Sequence, residues 1–96
     1  MRTIHKYELE VNKVTGEATT NIVMLPKFYE IVAANEQHRR IIIWADIHTE
    51  DEKFPVTFVT VGTGREVPKY GNEMMHIETV FLQNGLVFHI FLDIGV

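Results

Sequence analysis

The sequence contains neither cysteine nor serine. Without cysteine there is no disulfide and no thiolate zinc site. Two of the common catalytic nucleophiles are also missing, so threonine or a carboxylate would have to take their place in an enzyme. A chain without cysteine suits a reducing cytoplasm. Long apolar runs are absent too: the longest, Ile41 to Ala45, is strand-sized and far short of the ~20 residues of a membrane-spanning helix. The first residues, Met1 to Lys6, lack the apolar stretch of a signal peptide. Basic residues are in deficit, 9 against 13 acids, for a net charge of −4. That argues against general binding to duplex DNA, which needs a basic face. A small phosphorylated ligand, needing only a few local cations, remains open.

What is present reads as one domain over residues 1–96. Apolar residues make up 46% of the chain, which suits a packed core and not a disordered segment. A chain of this size buries only about 60–65% of its unfolded surface. Self-association is a common way to complete so small a core.

Strand chemistry dominates. Residues 3–11, TIHKYELEV, alternate with Tyr7, Leu9 and Val11 on one face and Lys6, Glu8 and Glu10 on the other. Thr15-Gly16 breaks this run, and Asn21 to Leu25 forms a second that ends at Pro26. Residues 28–35, FYEIVAAN, admit a helix, with Phe28, Ile31 and Val32 on one side. A strand is preferred, because 36–39 reads as a turn and the next segment needs a partner. Residues 40–48, RIIIWADIH, give the firmest strand, since three β-branched residues suit a pleated sheet. Its first half is apolar on both faces, which predicts cover on both sides by a second layer or another subunit. Residues 49–53 form an acidic loop, and Phe54 to Val61 a further strand with Pro55 near its start. Asn84-Gly85 predicts a two-residue type I′ hairpin. That register sets Phe81 against Phe88, Thr79 against Ile90, Val80 against His89 and His76 against Asp93. The fold expected is all-β, or β-rich with at most one short helix: a small antiparallel sheet or half-barrel completed by oligomerisation.

Several residues have the chemistry to bind. Gly62-Thr63-Gly64 could point backbone N–H groups at an anion, with Arg65 adding a charge-assisted bond. The same residues serve equally as a tight turn needing positive φ, and by themselves they favour the turn. The P-loop and dinucleotide glycine patterns are absent. Arg40 could clamp a phosphate, whereas Arg39 reads as a soluble turn residue. Trp44, on the strand face of Arg40, could stack on a base or fill the core. Tyr7, Tyr29 and Tyr70 offer rings with polar tips. Histidines near carboxylates, His48 with Asp46 and His76 with Asp93, are read as structural pairs, and no metal is expected. His89 is expected partly buried and hydrogen-bonded.

Taken together, IHKYELEV (4–11), LP (25–26), IIIWADI (41–47), VGTG (61–64) and LVFHIF (86–91) resemble a widespread family of short bacteriophage proteins. Those proteins share a KYxLEV…WA…GTG…VFHxF pattern. The resemblance spans nearly the whole chain, with a longer isoleucine run here and extra residues 93–96 at the end. The family looks similar to phage immune-evasion sponges, which sequester the cyclic oligonucleotide messengers of bacterial CBASS defence without cleaving them. The resemblance implies a non-enzymatic homo-oligomer, dimer or tetramer, in the cytoplasm of an infected bacterium. It implies no cofactor, no membrane contact and no duplex DNA. A cyclic dinucleotide is the expected ligand. Tyr7, Trp44 and Tyr70 would stack on its bases, and Arg40, Arg65, Lys69 and the Gly62–Thr63–Gly64 backbone would meet its phosphates. Two other readings stand beside it: a small inhibitor that binds a host protein, and a small metal-dependent nucleotide-cleaving enzyme.

Overall fold

The computed structural model describes residues 1–68 and 73–94. Among them the chain forms β1 (Arg2–Leu9), β2 (Thr19–Pro26), β3 (Glu30–Gln37), β4 (Arg40–His48), β5 (Lys53–Gly62), β6 (Met74–Phe81) and β7 (Val87–Asp93), with no helix. All pairings are antiparallel, in two sheets ordered β1-β4-β3 and β2-β5-β7-β6. The all-β expectation holds, and residues 30–37 are strand.

The two sheets pack face to face. Leu9, Ile41, Ile43, Ala45 and Ile47 from the first meet Val23, Leu25, Phe58, Phe88, Ile90 and Leu92 from the second in one buried cluster. The Cα atoms span 39 × 33 × 16 Å. The short axis is what two sheets stacked about 10 Å apart require. A polar seam locks the layers along one side. The Glu10 carbonyl accepts from Thr60 Oγ1 at 2.7 Å and from Asn21 Nδ2 at 3.1 Å, while the Glu10 amide donates to Asn21 Oδ1 at 2.8 Å.

The isoleucine strand is covered on both faces within the chain. Ile41 and Ile43 point into the core, and Ile42 points outward yet is only 6% exposed. Lys6 Nζ donates to Gln37 Oε1 at 3.2 Å. Lys6 sits opposite Trp44 and Gln37 opposite Arg40, so this bridge crosses β4 over Ile42. Pro55 is tolerated in β5 because β7 pairs only from Phe58 onward. On that flank no ladder bond is lost.

One hairpin differs from expectation. Gly85 N donates to Leu82 O at 3.0 Å, and Leu82 N to Leu86 O at 2.8 Å. This is a three-residue loop with Gly85 at φ +90°, the type I turn plus glycine bulge that Asn-Gly also suits. The register therefore moves by one, pairing Phe81 with Val87, Val80 with Phe88 and Thr79 with His89. Val80 faces the core and Phe81 faces out, 72% exposed. A second shift between His76 and Glu78 sets His76 against Phe91, and Asp93 pairs with Met74. The His76–Asp93 pairing is thus corrected. The two-residue turn with both central φ positive lies instead at His38 (52°) and Arg39 (66°), between β3 and β4.

Candidate functional site

The connections at one end of the sandwich build a crevice among its loops. There the β1–β2 loop, the His38–Arg39 turn, the end of β5 and the β6–β7 loop come together. The β1–β2 loop begins with an Asx turn, in which Asn12 Oδ1 accepts from the amides of Val14 and Thr15, each at 3.0 Å. Its end is clasped to the glycine turn. Gly62 N donates to Gly16 O at 2.7 Å, and Arg65 Nε donates to Thr15 O at 2.7 Å.

The glycine turn is chiefly a clasp. Its amides at Gly62, Thr63 and Arg65 donate to the carbonyls of Gly16, Val87 and Gly62. Only the Gly64 N–H, with Gly64 at φ +88°, makes no backbone hydrogen bond among the described residues. It does not form the multi-donor nest that an anion loop uses.

A cleft of about 350 Å³ opens between the clasped loops, lined by Lys13, Thr15, Gly16, Gly62, Thr63 and Leu86, among others. Among the described residues no carboxylate lines it, so Lys13 makes it cationic. Its size lies at the lower end of the usual range for small-ligand pockets, about 300–1,000 Å³. Lys13 also borders a neighbouring cleft of about 330 Å³ with Glu36, Arg39, Gln83 and Asn84. Lys13 Nζ donates to the Arg39 carbonyl at 2.7 Å, which tethers the ammonium between the two clefts. The Arg39 guanidinium makes no hydrogen bond or ion pair among the described residues. Lys13 carries no signal in the sequence, being one lysine in a loop, and Arg39 reads there as a turn. The Asn12–Gly16 turn chemistry is the feature that could have drawn notice to this loop.

The cleft joins a polar relay on the outer face of the four-stranded sheet. Thr63 Oγ1 lies 2.8 Å from His89 Nε2, His89 Nδ1 lies 2.9 Å from Thr79 Oγ1, and Thr79 Oγ1 lies 3.0 Å from His76 Nε2. With both histidines neutral the chain can run in either direction. Thr63 donates to His89 in one, and His89 donates to Thr63 in the other. His89 is half-buried and satisfied, as expected. His76 packs its ring edge-on to Phe91, with centroids 5.4 Å apart.

The other expected site residues lie elsewhere. Arg40 and Trp44 are on the outer face of the three-stranded sheet, and Arg40 Nη1 is paired with Glu8 Oε1 at 3.1 Å. Tyr7 packs against the core with its hydroxyl buried and without a hydrogen-bond partner among the described residues. Burial raises its pKa. Within one chain the structure therefore brings Gly62 and Thr63 to the cleft with Lys13, braced by Arg65, and leaves Tyr7 and Trp44 outside it, while Arg40 lines a further cleft with Lys13 and Arg39 that also holds Glu8 and Glu10. Lys69 and Tyr70 fall outside the described residues. Among those described, no three His, Asp or Glu side chains are grouped closely enough to hold a metal.

Fold and site define a two-sheet β-sandwich with a small cationic cleft among the loops at one end. The chain belongs to the family described as Domain of unknown function (DUF7352), whose sequence pattern covers residues 1–95. No curated protein and no solved structure matches it significantly.

Proposed function

We propose that this protein is a non-catalytic binder that captures an anionic nucleotide in the loop-end cleft. In the fuller form, it is a phage immune-evasion protein that sequesters a cyclic oligonucleotide messenger, a cyclic dinucleotide first of all, in the cytoplasm of the infected host. The observation that carries the reading is the carboxylate-free cleft holding Lys13 and the Thr63 hydroxyl, on a chain of net charge −4. An acidic protein that keeps acids out of one cleft favours an anion there. Lys13 supplies a point charge, and Thr63 a hydroxyl that is free to donate to the anion when His89 donates to it. Arg39 borders the adjoining cleft, which shares Lys13, and would be the partner for a second phosphate.

The test is a thermal-shift screen against cyclic di- and trinucleotides, with the bound nucleotide then released by heat and identified. A ligand at ~100 times its Kd stabilises the fold by ~2.7 kcal/mol, well within detection. The reading expects a stabilising ligand that is recovered intact. Silence across the panel removes the nucleotide, and recovery of cleaved product replaces a binder with an enzyme.

A further inference from the structure

Among the described residues the two sheets present four edge strands, and three are guarded. β1 carries Arg2, Lys6 and Glu8; β3 carries Glu30 and Glu36 and a bulge between Ile31 and Ala33; β6 carries His76 and Glu78 and a bulge between His76 and Glu78. Charges and bulges are the usual means of keeping a sheet edge from pairing with another strand. β2, with sequence TTNIVMLP, has no charged residue, and its pairing with β5 runs without a register shift from Thr19 to Pro26. Among the described residues its far side makes no backbone hydrogen bond. Its outward side chains include Ile22, 68% exposed, and Met24, 50% exposed.

We propose that β2 is a dimerisation edge, on which a second copy of this chain adds its own β2, antiparallel, about a two-fold axis. An open row of amides and carbonyls calls for another strand, and a two-fold pairing makes one strand complementary to itself. Copies of net charge −4 repel one another, so an uncharged contact is the one they tolerate. Directly opposed residues share a face of the sheet, so the two-fold must pass through a residue and not between two. Charge selects which. Glu17, just before β2, and Lys27, just after it, are both exposed. Centring the pairing on Ile22 places Glu17 of each copy opposite Lys27 of the other, giving two symmetric ion pairs. Ile22 then meets its own counterpart on the axis, and Thr20 meets Met24. The result is a continuous eight-stranded sheet. Its two loop-end clefts face opposite ways, so each chain keeps its own cleft. The proposal is independent of the ligand reading.

The test takes the full chain. Sedimentation equilibrium from about 5 to about 500 µM brackets the micromolar dissociation constant expected of one strand pair. Ile22→Cys and Val32→Cys, on exposed positions of β2 and β3, are then incubated with oxidised glutathione and run on non-reducing gels. Opposed residues of an antiparallel pair stand about 4.5–5.5 Å apart at Cα, which a disulfide can span. A wild-type dimer, with Ile22→Cys cross-linked and Val32→Cys not, is the expected result. A monomer throughout the range, a dimer whose Ile22→Cys form fails to cross-link, or cross-linking through Val32→Cys overturns the proposal.

Discussion

Gly62 donates its amide to the Gly16 carbonyl at 2.7 Å, and a Cβ on Gly62 would stand 3.0 Å from both Gly16 Cα and Gly16 O. Backbone meets backbone here, with no flexible side chain to yield. Gly62→Ala is expected to lower stability by about 1–3 kcal/mol through this overpacking. Gly64→Ala meets nothing within 4 Å and bears only the cost of positive φ, about 1 kcal/mol. Urea denaturation of the two variants checks the order.

The His38–Arg39 turn holds two side-chain-bearing residues at positive φ, where asparagine and glycine are at ease. The double variant His38→Asn/Arg39→Gly is expected to gain about 1–2 kcal/mol in urea. It also removes a cation from the cleft shared with Lys13. Stability should rise while nucleotide affinity falls, a divergence that separates fold from site.

Tyr7 keeps its ring in the core and its hydroxyl without a partner among the described residues. An unmet buried hydroxyl costs about 1–3 kcal/mol. Tyr7→Phe is therefore expected to be neutral or stabilising in thermal melts, and to leave ligand binding unchanged.

Asp46 receives a bidentate contact from Arg2, with Nη2 at 2.6 Å and Nε at 3.0 Å. Those hydrogen bonds first, and the charge of Arg2 with them, outweigh partial burial and hold the carboxyl below the ordinary carboxylate range. A depressed folded-state pKa stabilises the fold above the unfolded value, about 3.9. The contribution fades as pH falls below that value through the folded one. Asp46→Asn should flatten the acid limb of a stability–pH curve below about pH 4 and remove a constant amount above it.

The strands were legible where one residue's type decides one residue's side. Tyr7, Leu9 and Val11 alternate cleanly, and Ile41 to Ile43 announce a central strand. The Asn84-Gly85 turn misled because that pair suits both a two-residue and a three-residue loop. One residue's difference turned Val80 inward and Phe81 outward. The real two-residue turn lies at His38–Arg39, inside the 36–39 stretch that reads as a turn, but those residues do not advertise positive φ. The cleft was legible only on one wall, at Gly62 and Thr63. Lys13 and Thr63 lie 50 residues apart in sequence, and only the topology that gathers four connections at one end sets them around one space.

The most direct measurement of the central claim is calorimetric titration of a cyclic dinucleotide into the wild type and into Lys13→Ala, with thermal melts to confirm that both are folded. The account predicts one ligand per chain for the wild type. It predicts an affinity loss of roughly 10- to 100-fold for Lys13→Ala, the worth of one charge-assisted contact of about 1.5–3 kcal/mol. Equal affinities in the two folded proteins would place the ligand elsewhere and contradict it.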